Sequence, residues 1–164
     1  MKRLYLIIIA LVFSLFIYLF FRPDDTVVSR LFIKIFSLDF YHSLKYEVQN
    51  LFHFSNFVIY SLPGGLWVFS TALIAKDMKF KLWGTTIMLI YFPLMYALGL
   101  ELLQYFHITD GTFDIDDILI SLLAWVLVFK YYNTNTSKCI LNPRLTTMIF
   151  IINFAILYLA DIWK

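Results

Sequence analysis

The sequence predicts an all-α protein: a polytopic transmembrane helical bundle of about five membrane-spanning helices, with a short interfacial helix in its first outer loop. Three observations carry that prediction. The composition is 62% hydrophobic and 20% aromatic with only 15% charged residues, whereas a soluble domain is nearer half apolar and about a quarter charged. The apolar residues gather into runs long enough to cross a bilayer, which takes roughly 17–25 residues per helix. The basic residues are confined to short clusters between those runs. A mean hydropathy of +0.80 agrees, and residues 1–164 read as a single integral membrane domain.

Other classes are excluded at this level. A net charge of +2 is too small to suggest nucleic acid as a partner. Cys139 is the only cysteine, so neither an internal disulfide nor a thiolate metal cage is possible. Nothing in the sequence requires a cofactor or a metal, and the partners expected are membrane lipids.

The first span is residues 4–21, "LYLIIIALVFSLFIYLFF". It follows Lys2 and Arg3 as a secretory signal would, but the apolar run is too long for one and no small-residue cleavage site follows, so it reads as an uncleaved signal anchor. The interfacial helix comes next. In "DDTVVSRLFIKIFSL", Val27, Val28, Leu31, Phe32, Ile35 and Phe36 recur at helical spacing, after a helix-start signal at Pro23–Thr26. Such a helix suits the plane of the outer leaflet. The remaining spans are 51–75, 82–106, 115–132 and 145–162. Within the second, "LPGGLW" breaks or kinks the helix, because proline removes a backbone donor and glycine permits close approach. The tract "NTNTSKCILNP" reads as a cytoplasmic connector.

Orientation follows from the basic residues. With the N-terminus inside, the cytoplasmic side holds Lys2, Arg3, Lys76, Lys79, Lys81, Lys130, Lys138 and Arg144, against Arg22, Arg30, Lys34, Lys45 and Lys164 outside. The short loops differ most: "KDMKFK" carries three lysines and "HITDGTFDIDD" carries four aspartates and no base. The expectation is a multi-pass membrane protein, N-terminus inside and C-terminus outside.

Alternate threading then brings the start of span two, the end of span three and the start of span four to one rim. His53, Asn56 and Phe57 lie on one helical face at spacings of three and four, as do Glu101 and Gln104. Polar groups at membrane depth turn inward, away from lipid. The candidate ligand-binding set is therefore His53, Asn56, Phe57, Glu101, Gln104, Asp114, Asp116 and Asp117. Each has a plainer reading beside the functional one. Glu101 could be a neutral or His53-paired carboxyl fastening the bundle. His53 could be half-solvated, and the aspartates could favour the positive end of a helix dipole, worth about 0.3–1 kcal/mol apiece.

Together "HFSNFVIYSLPGG", "ELLQYF" and "GTFDIDDILISLLAW", in this order and spacing over about residues 49–125, resemble the VanZ-like family of bacterial integral membrane proteins. That family is named for a determinant of low-level resistance to the glycopeptide teicoplanin. The resemblance matches His53, Phe54, Phe57, Glu101, Gln104, Phe113, Asp114, Asp116 and Asp117 to the family pattern. The chain departs from it at Gln49–Asn50, where the family often has Asp-Lys, and at Ser121 and Ala124, where it commonly has Asn and Gly. It implies an outer-facing polar cluster that binds an envelope lipid or peptidoglycan-precursor headgroup and confers glycopeptide resistance. Two other classes stay open. One is a membrane enzyme acting on a lipid-linked substrate, with Glu101 and His53 as acid and base and the aspartates holding a divalent cation. The other is a transporter component.

Overall fold

The computed structural model describes residues 2–24, 26–82, 85–109, 111–131, 148, 150 and 151. From Lys2 to Phe21 the chain has neither glycine nor proline, and it forms one helix of 20 residues, α1. Pro23 ends the run. Thr26 then caps α2 (Val27–Phe36), its side chain accepting the Ser29 N–H and so satisfying one of the donors a helix start leaves free. The helix expected in the first loop is therefore present. Ser37, at a φ of 88°, turns the chain directly into α3 (Leu38–Leu51), a second helix where only loop was expected.

Tyr41 fastens α3 to α1. It is 0% exposed, donates its hydroxyl to the Leu19 carbonyl at 2.8 Å, and stands 3.1 Å from the Asp24 carboxylate and 3.2 Å from the Ser29 hydroxyl. Lys45 Nζ donates to the same carboxylate and to the Arg22 carbonyl. Burial alone would raise the Asp24 pKa, but the Lys45 hydrogen bond and charge, with the Tyr41 hydroxyl and His42, outweigh it and hold the carboxyl below its ordinary value.

The described chain goes on through α4 (Asn56–Tyr60), α5 (Leu62–Ala75), an antiparallel hairpin of β1 (Lys79–Leu82) and β2 (Thr85–Met88), then α6 (Tyr91–Tyr105) and α7 (Ile115–Tyr131). Helix α5 is the centre, with α1, α6 and α7 packed around it. A helix buried on all sides must be apolar on all sides, and α5 is buried at Trp67, Val68 and every residue from Ser70 to Ala75. Its two polar residues there, Ser70 and Thr71, return their hydroxyls to the Trp67 carbonyl. One core cluster joins Ile7, Ala72, Leu73, Ile74, Ile90 and Val128; a second joins Trp67, Val68 and Ala124. Arg3 pairs with Asp77 at one end of the molecule and Arg22 reaches Ile59 and Tyr60 at the other, so α1 and α5 run antiparallel. Trp125 Nε1 donates to the Ile90 carbonyl at 3.0 Å, tying the start of α6 to the second half of α7.

Among the described residues the chain does not form the five-span transmembrane bundle. Among the described residues one helix is long and apolar enough to cross a bilayer, Arg3–Phe21 within α1; α5 is apolar but has only 14 residues. Backbone chemistry explains the shortfall. Span two (51–75) is interrupted at residues 52–55 and again at Ser61, ahead of Pro63. Span three (82–106) begins as the hairpin, whose Thr85, Thr86 and Ile87 favour strand. Its helix starts only at Tyr91, with Pro93 buried in the first turn where a missing N–H costs nothing. That leaves 15 residues, about 22 Å of helix against a hydrocarbon core of about 30 Å. Span four (115–132) is matched by α7 to within a residue, but α7 opens with Asp116 and Asp117. Span five (145–162) lies, except for Met148, Phe150 and Ile151, outside the described residues, as does Cys139.

The surface is nonetheless apolar. Only 22% of the candidate span in α1 is buried inside the protein, which leaves Tyr5, Ile9 and Val12 about 60% exposed. Met95 and Leu102 on α6, and Leu119, Leu123, Val126 and Leu127 on α7, are exposed as well.

Candidate functional site

The site begins with a broken helix. Pro63 has no N–H to offer the Ile59 carbonyl one turn back, and Arg22, from just beyond α1, takes that role. Its Nε donates to Ile59 O at 3.2 Å and its Nη2 to Tyr60 O at 2.8 Å. The guanidinium lies 4.9 Å from the ring centres of both Tyr18 and Tyr60, a cation–π arrangement that fixes it further. A charge assigned to an outer loop from sequence is thus built into the wall of the site.

The opposite wall is the end of α6. His107, at a φ of 55°, closes the helix in a Schellman turn, with Ile108 N–H donating to Leu103 O and His107 N–H to Gln104 O, both at 2.9 Å. The chain then folds back over Gln104. At Gly111 a Cβ would stand 2.6 Å from Gln104 Nε2, and the φ of +116° would strain any other residue whatever the space. Asp114 locks the loop at both ends: its N–H donates to Glu101 Oε2 at 3.1 Å and its carboxylate accepts the Asp116 N–H at 2.9 Å, capping α7. The plainer reading of the aspartates, negative charge at the positive end of a helix dipole, fits all three: Asp114 caps α7, and Asp116 and Asp117 stand in its first turn.

Between these walls is a cavity of about 880 Å³ at one end of the bundle. Of the candidate residues, Asn56, Phe57, Glu101, Gln104, Asp114, Asp116 and Asp117 all line it. His53 does not, and it is exposed. The reason lies in the non-helical stretch before α4. Phe52 is in extended conformation, and Phe52 and Phe54 place their rings against Phe16 and Phe21 of α1, at 6.0 and 4.9 Å. In an extended segment the residue between two such anchors faces the other way. His53 therefore shares no helical face with Asn56. Glu101 is held by the Asp114 amide rather than by an imidazole, so the Glu101–His53 acid–base pair considered for an enzyme is not assembled.

The structure adds Arg22, Tyr18, Ser61, Trp67 and Ser121 to the lining. Ser121 carries the point furthest. It occupies a position where the resemblance marked a departure from Asn, it is 6% exposed, and it still faces the cavity with a hydroxyl. Helical spacing could have found it, since Asp117 and Ser121 are four apart.

The cavity is strongly acidic, with Glu101, Asp114, Asp116 and Asp117 against the single guanidinium of Arg22 among its lining residues. Burial raises the Glu101 pKa; the Asp114 N–H opposes that, and the charges of Asp117 and Asp114 reinforce it. Burial likewise raises Asp117, opposed by the Ser61 hydroxyl and Arg22 and reinforced by Asp114 and Asp116. Asp117 Oδ1, Gln104 Oε1 and Thr109 Oγ1 are buried without a hydrogen-bond partner. A buried polar atom left unpaired costs about 1–3 kcal/mol. Among the described residues, no three His, Cys, Asp or Glu side chains stand close enough together to hold a metal ion.

These shifts set a pH dependence. A carboxyl with a raised folded pKa keeps a proton that the unfolded chain releases, so stability falls as pH climbs from the ordinary carboxylate range to the raised values of Glu101 and Asp117. Asp24 acts on the acid side: its contribution is present above the ordinary Asp value and is lost as pH falls through its lowered one. Thermal unfolding of Asp117→Asn in detergent micelles is expected to show a weaker decline with rising pH than the parent, with the acid limb unchanged. Comparison of the chain with protein-family models, with curated proteins and with solved structures gives no match.

Proposed function

We propose that the protein is a VanZ-like component of a bacterial plasma membrane, and that its cavity binds the headgroup of an envelope lipid or a lipid-linked peptidoglycan precursor, conferring low-level tolerance of teicoplanin-type glycopeptides. The observation that carries this reading is one cavity shared by Asn56, Phe57, Glu101, Gln104, Asp114, Asp116 and Asp117, all but Asn56 among the residues that the resemblance matches. The exposed apolar flanks of α1, α6 and α7 support a lipid setting, because soluble monomers rarely expose contiguous apolar patches beyond a few hundred Å². The charge pattern of α1 supports one sidedness. Its N-terminal end carries Lys2 and Arg3 and its far end carries Tyr18 and Arg22 into the cavity. A crossing with the basic end inside puts the cavity at the exterior rim, where lipid-linked cell-wall precursors are displayed.

The test has two parts. Expression in a glycopeptide-sensitive bacterium is expected to raise the teicoplanin concentration that stops growth, and Glu101→Gln with Asp117→Asn is expected to remove the gain at equal protein level. In a Cys139→Ser background, cysteine at Asn56 or Asp116 is expected to react with an impermeant thiol reagent added to intact cells. Unchanged susceptibility together with reaction only after lysis would overturn the proposal.

A further inference from the structure

Resting on the reading that this cavity receives a lipid, we infer that it takes in part of the lipid's hydrocarbon chain as well as its headgroup, in the order that the outer leaflet already imposes. The lining is zoned by depth. Helices α5 and α7 run inward from the rim and α1 and α6 run out to it, so position along each helix gives the depth of its side chains. The charged lining residues, Arg22, Glu101, Asp114, Asp116 and Asp117, all stand near the rim ends of their helices or in the turn before α7. The cavity continues about two helical turns further, roughly 11 Å, and its lining there is Tyr18, Trp67, Val68, Tyr96 and Ala97. None of these carries a charge.

The deep zone is open at its sides and closed at its base. Gly64 is exposed, and Tyr96, Ala97 and Leu100 are half-buried along the facing wall, so an occupant has apolar surface to touch. Trp67 and Val68, 5% and 1% exposed, join Ala124 in a core cluster that seals the bottom. The rings of Trp67 and Tyr96 lie 5.7 Å apart.

This zoning selects among occupants. Water stays in a hollow only where each molecule finds several polar partners, and the deep walls supply few. A solute bound for the other side of the membrane has no exit through a base that belongs to the core. A hydrocarbon chain arriving from the bilayer exchanges one apolar surrounding for another and gives the walls the contacts that an empty space denies them. An outer-leaflet lipid carries its polar group at the rim and its chains toward the midplane, the same order as the lining. The chain is acyl in a phospholipid and prenyl in a lipid-linked precursor; the chemistry is shared.

The experiment uses Trp67 as reporter. The full chain is placed in nanodiscs of phosphatidylethanolamine and phosphatidylglycerol, with ordinary acyl chains or with chains brominated near their middle, bromine being a contact quencher of indole emission. The Trp67 signal is the difference between the parent and Trp67→Phe. Brominated chains are expected to remove more than half of it. Ala97→Leu and Gly64→Leu narrow the hollow from opposite walls, and both lie within the lining. Each is expected to restore the Trp67 signal while bulk bromine stays the same, and an unfolding midpoint taken for both shows which of them keeps the parent fold. Farnesyl phosphate added as a minor component separates the sources: recovery of emission identifies a prenyl chain, no recovery an acyl one. Equal Trp67 emission in the two bilayers, or quenching that both narrowing variants leave intact, overturns the inference. A parent that raises glycopeptide tolerance with Trp67 unquenched sinks the chain and leaves the headgroup reading standing. Quenching that the variants relieve, in a protein without effect on tolerance, sinks the glycopeptide reading and leaves the chain.

Discussion

Gly65→Val is expected to destabilise the protein severely, by about 3 kcal/mol or more, the upper end of the cost of forcing extra carbons into a packed contact. A Cβ at this position would stand 2.6 Å from Ile120 Cγ1, 3.3 Å from its Cγ2 and 3.4 Å from its Cβ. The whole branched end of Ile120 would have to move, and it cannot swing clear as the tip of a long side chain would. The contact lies where α5 crosses α7, beside Ser61 and Asp117, so the same change should open the cavity. Chemical unfolding in micelles would measure the loss, and a midpoint within error of the parent would refute the argument. The neighbouring Gly64→Ala is the internal control. A Cβ there meets nothing within 4 Å, so it should leave the midpoint unchanged or raise it, since glycine within a helix is worth roughly 1 kcal/mol less than a good helix former. The pair separates overpacking from helix propensity.

Tyr41→Ala should cost about 3–5 kcal/mol, the range for removing a buried aromatic ring. The ring is 0% exposed and packs 5.8 Å from that of Phe32, and its hydroxyl joins α1, the Asp24 turn and α2. Tyr41→Phe isolates the hydroxyl: it keeps the ring, leaves the Leu19 carbonyl without its donor, and should cost about 1–3 kcal/mol. It should also move the acid limb of the stability profile, because one of the groups holding the Asp24 pKa down is gone. Unfolding midpoints for both variants across pH would test the two parts separately. An acid limb identical to the parent in Tyr41→Phe would show that the Asp24 carboxylate does not feel the hydroxyl.

These two tests also mark where sequence reasoning reached and where it stopped. Helix α1 was legible because nothing in "LYLIIIALVFSLFIYLFF" interrupts a helix, and α7 because its aspartates announce a start. The site was legible because alternate threading is robust: Glu101, Gln104 and Asp117 meet Asn56 and Phe57 as long as consecutive helices reverse direction. The number of crossings was not legible. Hydropathy reports how apolar a stretch is and says little about where its backbone hydrogen bonds stop, so Pro63 and Pro93 were read within spans rather than near their starts. Helix α3 was missed because "KYEVQN" is polar, and its one buried residue, Tyr41, leaves no periodic apolar face. His53 was misplaced by assuming helical spacing through residues 52–55, where two phenylalanines impose an alternating one. Arg22 gave no signal at all, since its value depends on a carbonyl that Pro63 vacates some forty positions downstream.

The clamps at both extremities of α1 bear on biosynthesis. The partners of Arg22 and Arg3 lie in α4 and α5 and at Asp77, all translated later. At roughly 5–20 residues per second, the nascent α1 waits several seconds with two uncompensated guanidinium groups before either mate leaves the ribosome. Until then the two arginines have only water for a partner, and a peptidase that trimmed α1 during that interval would leave α5 without its antiparallel companion.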